Sequence, residues 1–419
     1  YLLGILYTVR LSTVAFRLSI DETPYRISMA RNSKRKLASV RWHASQESDE
    51  LVFAVCDRYF MQLGQSSQAI ADNEKTRGAA TSVAEWIQAE KGRPDITREK
   101  IYPLFWEACH RGFLLLQPPP EHHLEDKMIN RFALQNHPGK VTVVNIHGDS
   151  AAQHVTHKAA DQIVDLIERV GKEKRSKYPG DPEKQAVHLG MGAGYATMLV
   201  ARRLAYKIRS GGDIPPLVLH AISSGGFLPD EPHKSPSTYF SYFDPALMNI
   251  KFVALFSATV VGRDDYEKQK ENPAVRYSFE QRDKIDIIVT SLASASHVHG
   301  LLGHYLEHLV QQNLLPADTL HRMSNAGWIG DVQFRPYSAQ GPLQDVCPVR
   351  AVTLFELDEL VDLAKDVKNG RYVVLVAGPC GECGESKKLA LRPLLDNPKL
   401  RLWTHLVTDA LTAKELLET

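Results

Sequence analysis

The sequence predicts an α/β protein in which a small, mostly helical amino-terminal part precedes a doubly wound, mainly parallel Rossmann-like sheet. From residue 140 onward, short apolar strands alternate with amphipathic helices, which is typical of a parallel sheet covered on both faces. One of these strands, residues 186–189, runs into a glycine-rich turn and then into a helix. Between residues 50 and 111 only helical periodicity is present.

The glycine-rich turn predicts an anion site. A strand, a flexible turn and a helix N-terminus together offer unpaired N–H groups and a positive dipole end to a phosphate. A hydroxyl on the first turn of the helix can donate to the same oxygens. The candidate residues are Gly190, Gly192, Ala193, Gly194, Tyr195, Ala196 and Thr197. The alternative is a tight structural turn, and no Gly-Lys-Ser/Thr follows as it would in a P-loop.

Small polar residues also follow the other expected strands. The strands are expected at residues 141–144, 186–189, 217–222, 252–256, 285–289, 371–378 and 401–409. Ligands of such sheets sit beyond the carboxyl ends of the strands. Ser224, Gly378 and Asp409 lie at those ends, so a hydroxylated, phosphorylated ligand is expected there.

Composition limits the function classes. The chain has 419 residues, enough for two or three domains. Its 50 Lys and Arg nearly balance 49 Asp and Glu, so a nucleic-acid partner would need a local basic patch. Five cysteines, three of them isolated, do not form a disulfide framework and favour a reducing cytoplasm. No apolar run approaches the ~20 residues of a membrane span.

Residues 1–49 are expected to form an extension outside the two domains. The first 28 residues lack an initiator Met and do not have the order of a secretory signal, so they predict an over-extended reading frame or a disordered segment. A basic arm follows Met29, comprising Arg31, Lys34, Arg35, Lys36 and Arg41. The arm is either a solvated tail or a segment that contacts phosphates.

Residues 50–120 predict a winged helix-turn-helix. The expected elements are a helix over residues 50–61, a loop over 64–80, a helix capped by Thr81, Ser82 and Glu85, a break at 92–95, a helix from Ile96 to Gly112, and a strand over 113–116. Exposed side chains of the last helix suit a major groove, namely Thr97, Arg98, Lys100 and Tyr102. The alternative is a small helical domain that only packs on its neighbour.

Six motifs in order resemble one family. They are the helix end Ala108-x-x-x-Gly112-Phe113-Leu114, the loop 192–197, an Asp-led strand at Asp286, a Gly330-Asp331 turn, Ala377-Gly378 followed by Lys387, and Thr408-Asp409-x-x-Thr412-Ala413. The chain thereby resembles the SorC-type sugar-responsive transcriptional regulators, which join a helix-turn-helix to a sugar-binding domain related to sugar-phosphate isomerases and CoA transferases.

The resemblance implies a regulator without enzymatic activity or cofactor. Its partners would be operator DNA, bound by residues 50–120, and a phosphorylated sugar or polyol, bound by residues 121–419. The second region would also form a homodimer or homotetramer. Asp286 and Lys387 join the effector-binding candidates on this basis. Two departures are a Thr-Ser-Leu-Ala-Ser run at 290–294 and an inserted Pro-Cys-Gly-Glu-Cys-Gly at 379–384.

Two other chemistries compete. A sugar-phosphate isomerase or deaminase on the same scaffold would need a proton-transferring carboxylate, and Asp286 and Asp409 are the candidates. Cys380 and Cys383 are weak metal candidates, as half of a zinc site with Cys347 and His405 or as a redox pair. His304 and His308 match a zinc-peptidase pattern, but surface histidines are the commoner explanation. We therefore predict no metal.

Overall fold

The computed structural model describes residues 47–71, 78–111, 113–114, 117–148, 150–210, 214–225, 231–246, 248–262, 265–297 and 299–418. The chain divides into two compact units, one ending at Leu115 and the other beginning at Leu116. The basic arm and almost all of the expected extension lie outside the described residues. Within the described ranges, no helix combines the length and the apolar character needed to cross a bilayer.

The amino-terminal unit contains three helices around one small core. They are α1 (Asp49–Ala71), α2 (Ala79–Glu90) and α3 (Arg98–His110). Each helix packs against the other two, because each has apolar residues on one face at helical spacing. The core side chains include Val52, Val55, Val83, Ile87, Ile101 and Leu104. Helix α2, a seven-residue connection and α3 make the expected helix-turn-helix outline.

The first two helix boundaries differ from the prediction. Helix α1 continues to Ala71, where a loop was expected, and residues 72–77 lie outside the described part of the chain. Helix α2 begins at Ala79 after Gly78, so the capping role predicted for Thr81 and Ser82 is wrong. Ala79 and Ala80 are both buried, and this packing extends the helix beyond the point where capping chemistry would start it.

The strand predicted at residues 113–116 is also wrong where it is described. The N–H groups of Phe113 and Leu114 both donate to the carbonyl oxygen of Ala108, at 2.8 and 3.1 Å. These bonds close the carboxyl end of α3, so the same groups are not available to a sheet ladder. The described residues of the amino-terminal unit therefore form helices joined by turns, without the strand that a wing would begin with.

The carboxy-terminal unit is the predicted α/β sheet structure. Its strands are β1 (Lys140–Val144), β2 (Val187–Met191), β3 (Leu217–Ala221), β4 (Ile250–Val253), β5 (Val260–Gly262), β6 (Ile287–Ser294), β7 (Gly330–Val332), β8 (Arg335–Tyr337), β9 (Val349–Ala351), β10 (Tyr372–Ala377) and β11 (His405–Asp409). Its helices are α4 (His122–Arg131), α5 (Ala151–Lys177), α6 (Pro182–Gln185), α7 (Tyr195–Ser210), α8 (Pro236–Tyr239), α9 (Tyr266–Glu271), α10 (Pro273–Gln281), α11 (Leu301–Gln311), α12 (Thr319–Asn325), α13 (Leu357–Lys365), α14 (Lys388–Asp396) and α15 (Ala410–Glu418).

Seven parallel strands form the sheet, in the order β1-β11-β10-β6-β2-β3-β4. The strands β7 and β8 extend β6 as antiparallel ribbons, and β5 pairs with β9 separately. One apolar core lies under α5 and α7, and the other lies under α4, α13, α14 and α15. The predicted doubly wound, mainly parallel sheet is confirmed.

The strand order reverses between β2 and β6. From β2 the chain adds β3 and β4 on one side, and it then crosses to place β6 and β10 on the other side. The connections that follow β2 and β6 therefore diverge from this point of the sheet. A crevice at the carboxyl ends of such strands is where open α/β sheets bind ligands.

Candidate functional site

A cavity of about 90 Å³ lies at the carboxyl ends of β2, β6 and β10. Three segments contribute most of its wall, namely the turn into α7, the end of β6 with the turn after it, and residues 376–387 after β10. The ionisable side chains that line it are Tyr195, Lys234, His297, His299, Asp331, Cys380, Glu382 and Lys387. The topology of the sheet thus brings charged groups from distant parts of the sequence to one place.

The glycine-rich turn contributes less of the wall than the sequence suggests. The N–H of Ala193 donates to Ser223 Oγ at 3.1 Å, and the N–H of Gly194 donates to the carbonyl of Lys234 at 3.0 Å. These two N–H groups are already used within the protein. The first turn of α7 has no acceptor for its own N–H groups within the helix, and Tyr195 and Ala196 line the cavity. The anion-attracting group is therefore the helix end.

Two of the predicted glycines do not line the cavity. A Cβ at Gly190 would lie 2.7 Å from Ile222 Cγ2, and one at Gly192 would lie 3.3 Å from Thr290 Oγ1. Gly190 is inside β2, and the N–H of Gly192 donates to the carbonyl of Val289. Both glycines allow close packing of the strands and the segments beside them, and neither is on the cavity wall.

Thr197 does not line the cavity either. Its side chain is buried, and its hydroxyl donates to the carbonyl oxygen of Gly194 at 2.9 Å. The Tyr239 hydroxyl lies 3.4 Å from the Thr197 hydroxyl oxygen and donates to the Gly194 carbonyl at 2.8 Å. This network fixes the backbone conformation of Gly194, whose φ of +124° is rarely adopted by residues other than glycine. The role of Thr197 is to hold the turn in place.

We expect a Thr197→Val substitution to lower the free energy of unfolding by about 0.5–1.5 kcal/mol, since one buried hydrogen bond is lost without a change of shape. Affinity for a cavity ligand should change by less than about threefold. Urea denaturation and ligand titration of the same preparation measure the two effects. A large loss of affinity with unchanged stability would restore Thr197 as a contact residue.

Lys387 and Gly378 are the predicted residues from the β10 side that do line the cavity. The Lys387 ammonium is enclosed, and its Nζ donates to the carbonyl of Leu292 at 2.9 Å. Burial lowers the pKa of Lys387, and the neighbouring Cys380 and Asp331 act in the opposite direction. Gly378 lies against Val155, which a Cβ would approach to 3.2 Å. A half-buried cation on the wall of the cavity fits an anionic ligand.

Asp331 is the main residue that sequence reasoning missed. It lies on β7, which pairs antiparallel with the end of β6 and so reaches the cavity. Burial raises the pKa of its carboxyl to about 7, against the opposing effects of the Phe334 backbone and Lys387. The sequence contains the Gly330-Asp331 motif, but its position in the sequence does not indicate that Asp331 lies near the carboxyl ends of the parallel strands.

Lys234 is a second residue that sequence reasoning missed. Its Nζ lies 2.5 Å from Glu231 Oε1 and 3.1 Å from Glu382 Oε1, and the side chain is only 6% exposed. The other oxygen of Glu382 lies 2.7 Å from His299 Nδ1. No periodicity in the sequence marks Lys234, because it lies in an irregular segment that only folding brings over α7.

Three residues predicted to bind the effector form hydrogen bonds with other parts of the protein instead of lining the cavity. Asp286 precedes β6 at the opposite, amino edge of the sheet, where its carboxylate accepts from Lys174 Nζ at 2.6 Å and from the His188 N–H at 2.8 Å. Asp409 accepts from the N–H and hydroxyl of Thr412, at 3.0 and 2.6 Å, and so caps α15. Ser224 Oγ donates to the carbonyl of Ala258 at 3.2 Å. None of these three side chains lines the cavity.

Cys380 and Cys383 do not lie beside Cys347 and His405, the additional zinc ligands that the sequence suggested. Cys347 lines a different cavity, beside Arg350 and Glu356, and His405 begins β11 at the amino edge of the sheet. Cys380 and Cys383 instead approach His297, and their ligand atoms lie within 4.8 Å of one another. Within the described residues, His304 and His308 on α11 form no such group.

The predicted DNA-contact residues are all exposed in the amino-terminal unit. Thr97 precedes α3, and Arg98, Lys100 and Tyr102 lie on its first turn and a half. Lys100 Nζ lies 3.5 Å from Asp95 Oδ2. Trp106, which is 66% exposed, and Glu99 lie on the same helix. The exposed surface of α3 therefore combines two cations with aromatic and acidic side chains.

No family model matches the sequence, and no curated protein matches it at a significant level. Among solved structures, the full-length sorbitol operon regulator SorC from Klebsiella pneumoniae aligns over 89% of this chain and 100% of its own, with a TM-score of 0.55 and 15% identity. A probable sor operon regulator from Shigella flexneri covers 70% of this chain and 98% of its own, with a TM-score of 0.50 and 15% identity.

A third structure is described as a domain of a possible sugar-binding transcriptional regulator from Arthrobacter aurescens TC1. It covers 71% of this chain and 97% of its own, with a TM-score of 0.50 and 14% identity. At such identities the similarity establishes the fold. The resemblance to SorC-type proteins that the motif order predicted is confirmed at that level.

Proposed function

We propose that this protein is a carbohydrate-responsive transcriptional regulator of the SorC type. In this proposal the cavity at the reversal of strand order binds a phosphorylated sugar or polyol, and α2 and α3 bind operator DNA. The observation that carries it is the pairing of a helix N-terminus with the enclosed Lys387 in one cavity. A phosphate dianion would satisfy both the helix dipole and the ammonium.

The position of Glu382 supports an anionic ligand. Its carboxylate lines the cavity and pairs with Lys234 and His299. In this proposal, Glu382 makes the ion pairs that an anionic ligand would otherwise make. The cavity of about 90 Å³ is smaller than the roughly 300–1,000 Å³ typical of ligand sites. A Cβ at Gly381 would lie 2.3 Å from the Tyr195 ring. The ligand would therefore displace residues 379–386 and release Glu382 from Lys234.

A thermal-shift comparison tests the effector. Sugar phosphates and polyol phosphates are compared with the same compounds lacking phosphate, because a ligand that binds only the folded state raises the melting temperature by mass action. We expect stabilisation from a phosphorylated member of a pair and none from its partner. Equal stabilisation by both members would exclude a phosphate-dependent site.

DNA binding requires more than one copy of α3. Helix-turn-helix modules read paired half-sites, and two modules at fixed spacing need a symmetric oligomer. We therefore propose a homodimer or homotetramer. Light scattering measures the mass of the protein with and without operator DNA. A monomer in both states would contradict this part of the proposal.

Removing the two exposed cations of α3 is expected to weaken DNA binding. In an Arg98→Ala/Lys100→Ala variant, the affinity for operator DNA should fall about tenfold or more, and the slope of log affinity against log salt should decrease by about one to two. Fluorescence anisotropy on DNA fragments selected from a random pool measures both quantities. The two side chains are exposed, so the fold should be unaffected.

The matched control is Arg58→Ala/Lys91→Ala, which removes the same charge from the same unit. Both of these cations are exposed and lie over the Trp86 ring, at 5.3 and 5.9 Å from its centroid. Equal losses in the two double variants would indicate non-specific charge attraction. DNA affinity that does not depend on salt, or that is unchanged in both variants, would contradict the proposal.

Asp331 favours one alternative function. A carboxyl with a pKa of about 7, beside Lys387 in a cavity, has the properties of a general acid or base near neutral pH. The alternative is a sugar-phosphate isomerase or deaminase on the same scaffold. Turnover of sugar phosphates followed by NMR, in wild type and in Asp331→Asn, separates the two. Turnover that is lost in Asp331→Asn and requires no DNA would favour the enzyme.

A further inference from the structure

Two thiols lie in a closed turn beside the cavity. Residues 379–386 follow β10, and the N–H of Gly384 donates to the carbonyl of Cys380 at 3.0 Å. The N–H of Cys380 in turn donates to the carbonyl of Glu385 at 2.9 Å. Gly384 has a φ of +72°, which a glycine adopts without strain. This turn brings the Sγ atoms of Cys380 and Cys383 within 4.8 Å of each other.

A histidine from another strand completes the group. His297 follows β6, and its N–H donates to the carbonyl of Ser294 at 3.2 Å. One ring nitrogen of His297 and the two Sγ atoms all lie within 4.8 Å of one another. A tetrahedral zinc ion, with Zn–S near 2.3 Å and Zn–N near 2.1 Å, needs separations of about 3.5–3.8 Å. Each ligand atom therefore has to move by about 1 Å or less.

We propose that Cys380, Cys383 and His297 bind one Zn²⁺ ion. Two thiolates and an imidazole are the borderline-soft donors that zinc prefers, whereas calcium and magnesium take oxygen ligands. Three protein ligands leave a fourth position for water or for an oxygen of a cavity ligand, as in zinc sites that keep an open position. His297 and Cys380 both line the cavity, so this position is near its contents.

The surroundings of the three ligands support a metal. The His297 ring faces the backbone of Ser386 and the carboxylate of Glu385, with 3.5 Å between Nε2 and Oε2. Partners of this kind fix the orientation of a ligating imidazole. Lys387 lines the same cavity as His297 and Cys380, so a cation lies near the two sulfur ligands. Zinc would replace the two thiol protons, which are released to solvent.

The metal would link two segments that are distant in sequence. The turn at residues 379–386 packs over Tyr195 at the cavity, and His297 belongs to the connection between β6 and α11. One ion would hold this turn to that connection without a covalent bond. Oxidation of Cys380 and Cys383 to a disulfide by dissolved oxygen, which takes up the two electrons and two thiol protons, is the competing outcome, because it removes both sulfur ligands.

Metal binding to the full-length protein tests the proposal directly. Reduced, chelator-treated protein is titrated with Zn²⁺ alone and with Co²⁺ alone. We expect one equivalent of either ion, release of about two protons per Zn²⁺, and absorption bands typical of thiolate-bound tetrahedral Co²⁺. These measurements use the unsubstituted chain, so they do not depend on the folding of any variant.

Substitutions identify the ligands. Cys380→Ser, Cys383→Ser and His297→Ala should each weaken Zn²⁺ binding by at least about 100-fold, since loss of an outer-shell partner alone costs about 10- to 100-fold. The matched controls are Cys109→Ser, a half-buried thiol in the amino-terminal unit, and His299→Ala, a neighbouring histidine paired with Glu382. Both controls should retain binding within about threefold.

Several results would overturn the site. They are a stoichiometry near zero, cobalt spectra without thiolate bands, equal binding by cluster and control variants, and a Cys380–Cys383 disulfide that persists in reductant-treated protein. The titration requires neither DNA nor a sugar phosphate. Failure of the metal site and failure of the proposed regulator are therefore distinguished.

Discussion

Replacing Lys387 with methionine is expected to reduce the affinity for a phosphorylated cavity ligand by about 10- to 150-fold. The ammonium is enclosed next to the first turn of α7, and its hydrogen bond to a charged oxygen would contribute about 1.5–3 kcal/mol. Methionine keeps the length and the apolar stem, so the cavity wall remains filled. Isothermal titration with a sugar phosphate and with the corresponding unphosphorylated sugar measures the change.

The adjacent Lys388 provides the control. It does not line the cavity, and its Nζ lies 3.6 Å from Glu415 Oε2. Lys388→Met removes the same charge one residue away, and it should leave affinity within about threefold. The phosphate-free sugar should bind wild type and Lys387→Met alike. If Lys387→Met binds the phosphorylated ligand as tightly as wild type does, the cation is structural and the phosphate lies elsewhere.

Replacing Asp331 with asparagine is expected to remove a pH-dependent loss of stability. The carboxyl has a pKa of about 7 in the folded protein, compared with 3.8 for an unperturbed group. Between these values the folded state binds more protons than the unfolded state, so stability falls as pH rises. This difference in pKa corresponds to about 4 kcal/mol of folding stability. That contribution is fully present below pH 4 and is lost by about pH 8. The Asp331→Asn variant has no ionisable group at this position, so it should not show this loss.

Urea denaturation of wild type and Asp331→Asn at pH 5 to 8 measures this effect. Buried histidines whose pKa is lowered, such as His220 and His405, act in the opposite direction, so the difference between the two proteins is the informative quantity. Asp362→Asn, at an exposed position on α13, should follow wild type. A constant difference across this pH range would mean that Asp331 ionises in the folded state as it does in solution.

Local pattern determined most of the architecture. The alternation of apolar strands and amphipathic helices predicted the parallel sheet, because burial on both faces requires apolar strand sequences. The same rule placed a ligand site at the strand ends, and Ala193, Gly194, Tyr195, Ala196 and Gly378 do line a cavity there. These residues follow their strands within a few positions, so a strand end suffices to locate them. Lys387 also lines the cavity, but it follows β10 by ten residues and was predicted from the family resemblance.

The sequence also selected three residues near strand ends that do not line the cavity. Asp286 precedes its strand, and Asp409 and Thr197 bond within their own helix turns, so proximity to the sheet did not place them on the cavity wall. Backbone groups at a helix end compete for a nearby hydroxyl or carboxylate, and sequence spacing does not show which partner wins.

The sequence by itself determined the order of elements, the helix pair near the amino terminus and the edge of the sheet that carries the cavity. Only the tertiary structure decided which charges meet there. Asp331 lies at the cavity because β7 pairs antiparallel with the end of β6. His297 lies near Cys380 because the two residues follow the neighbouring strands β6 and β10. The physical reason is that hydrophobic periodicity encodes burial, whereas the meeting of distant polar groups depends on strand order, which no local pattern contains.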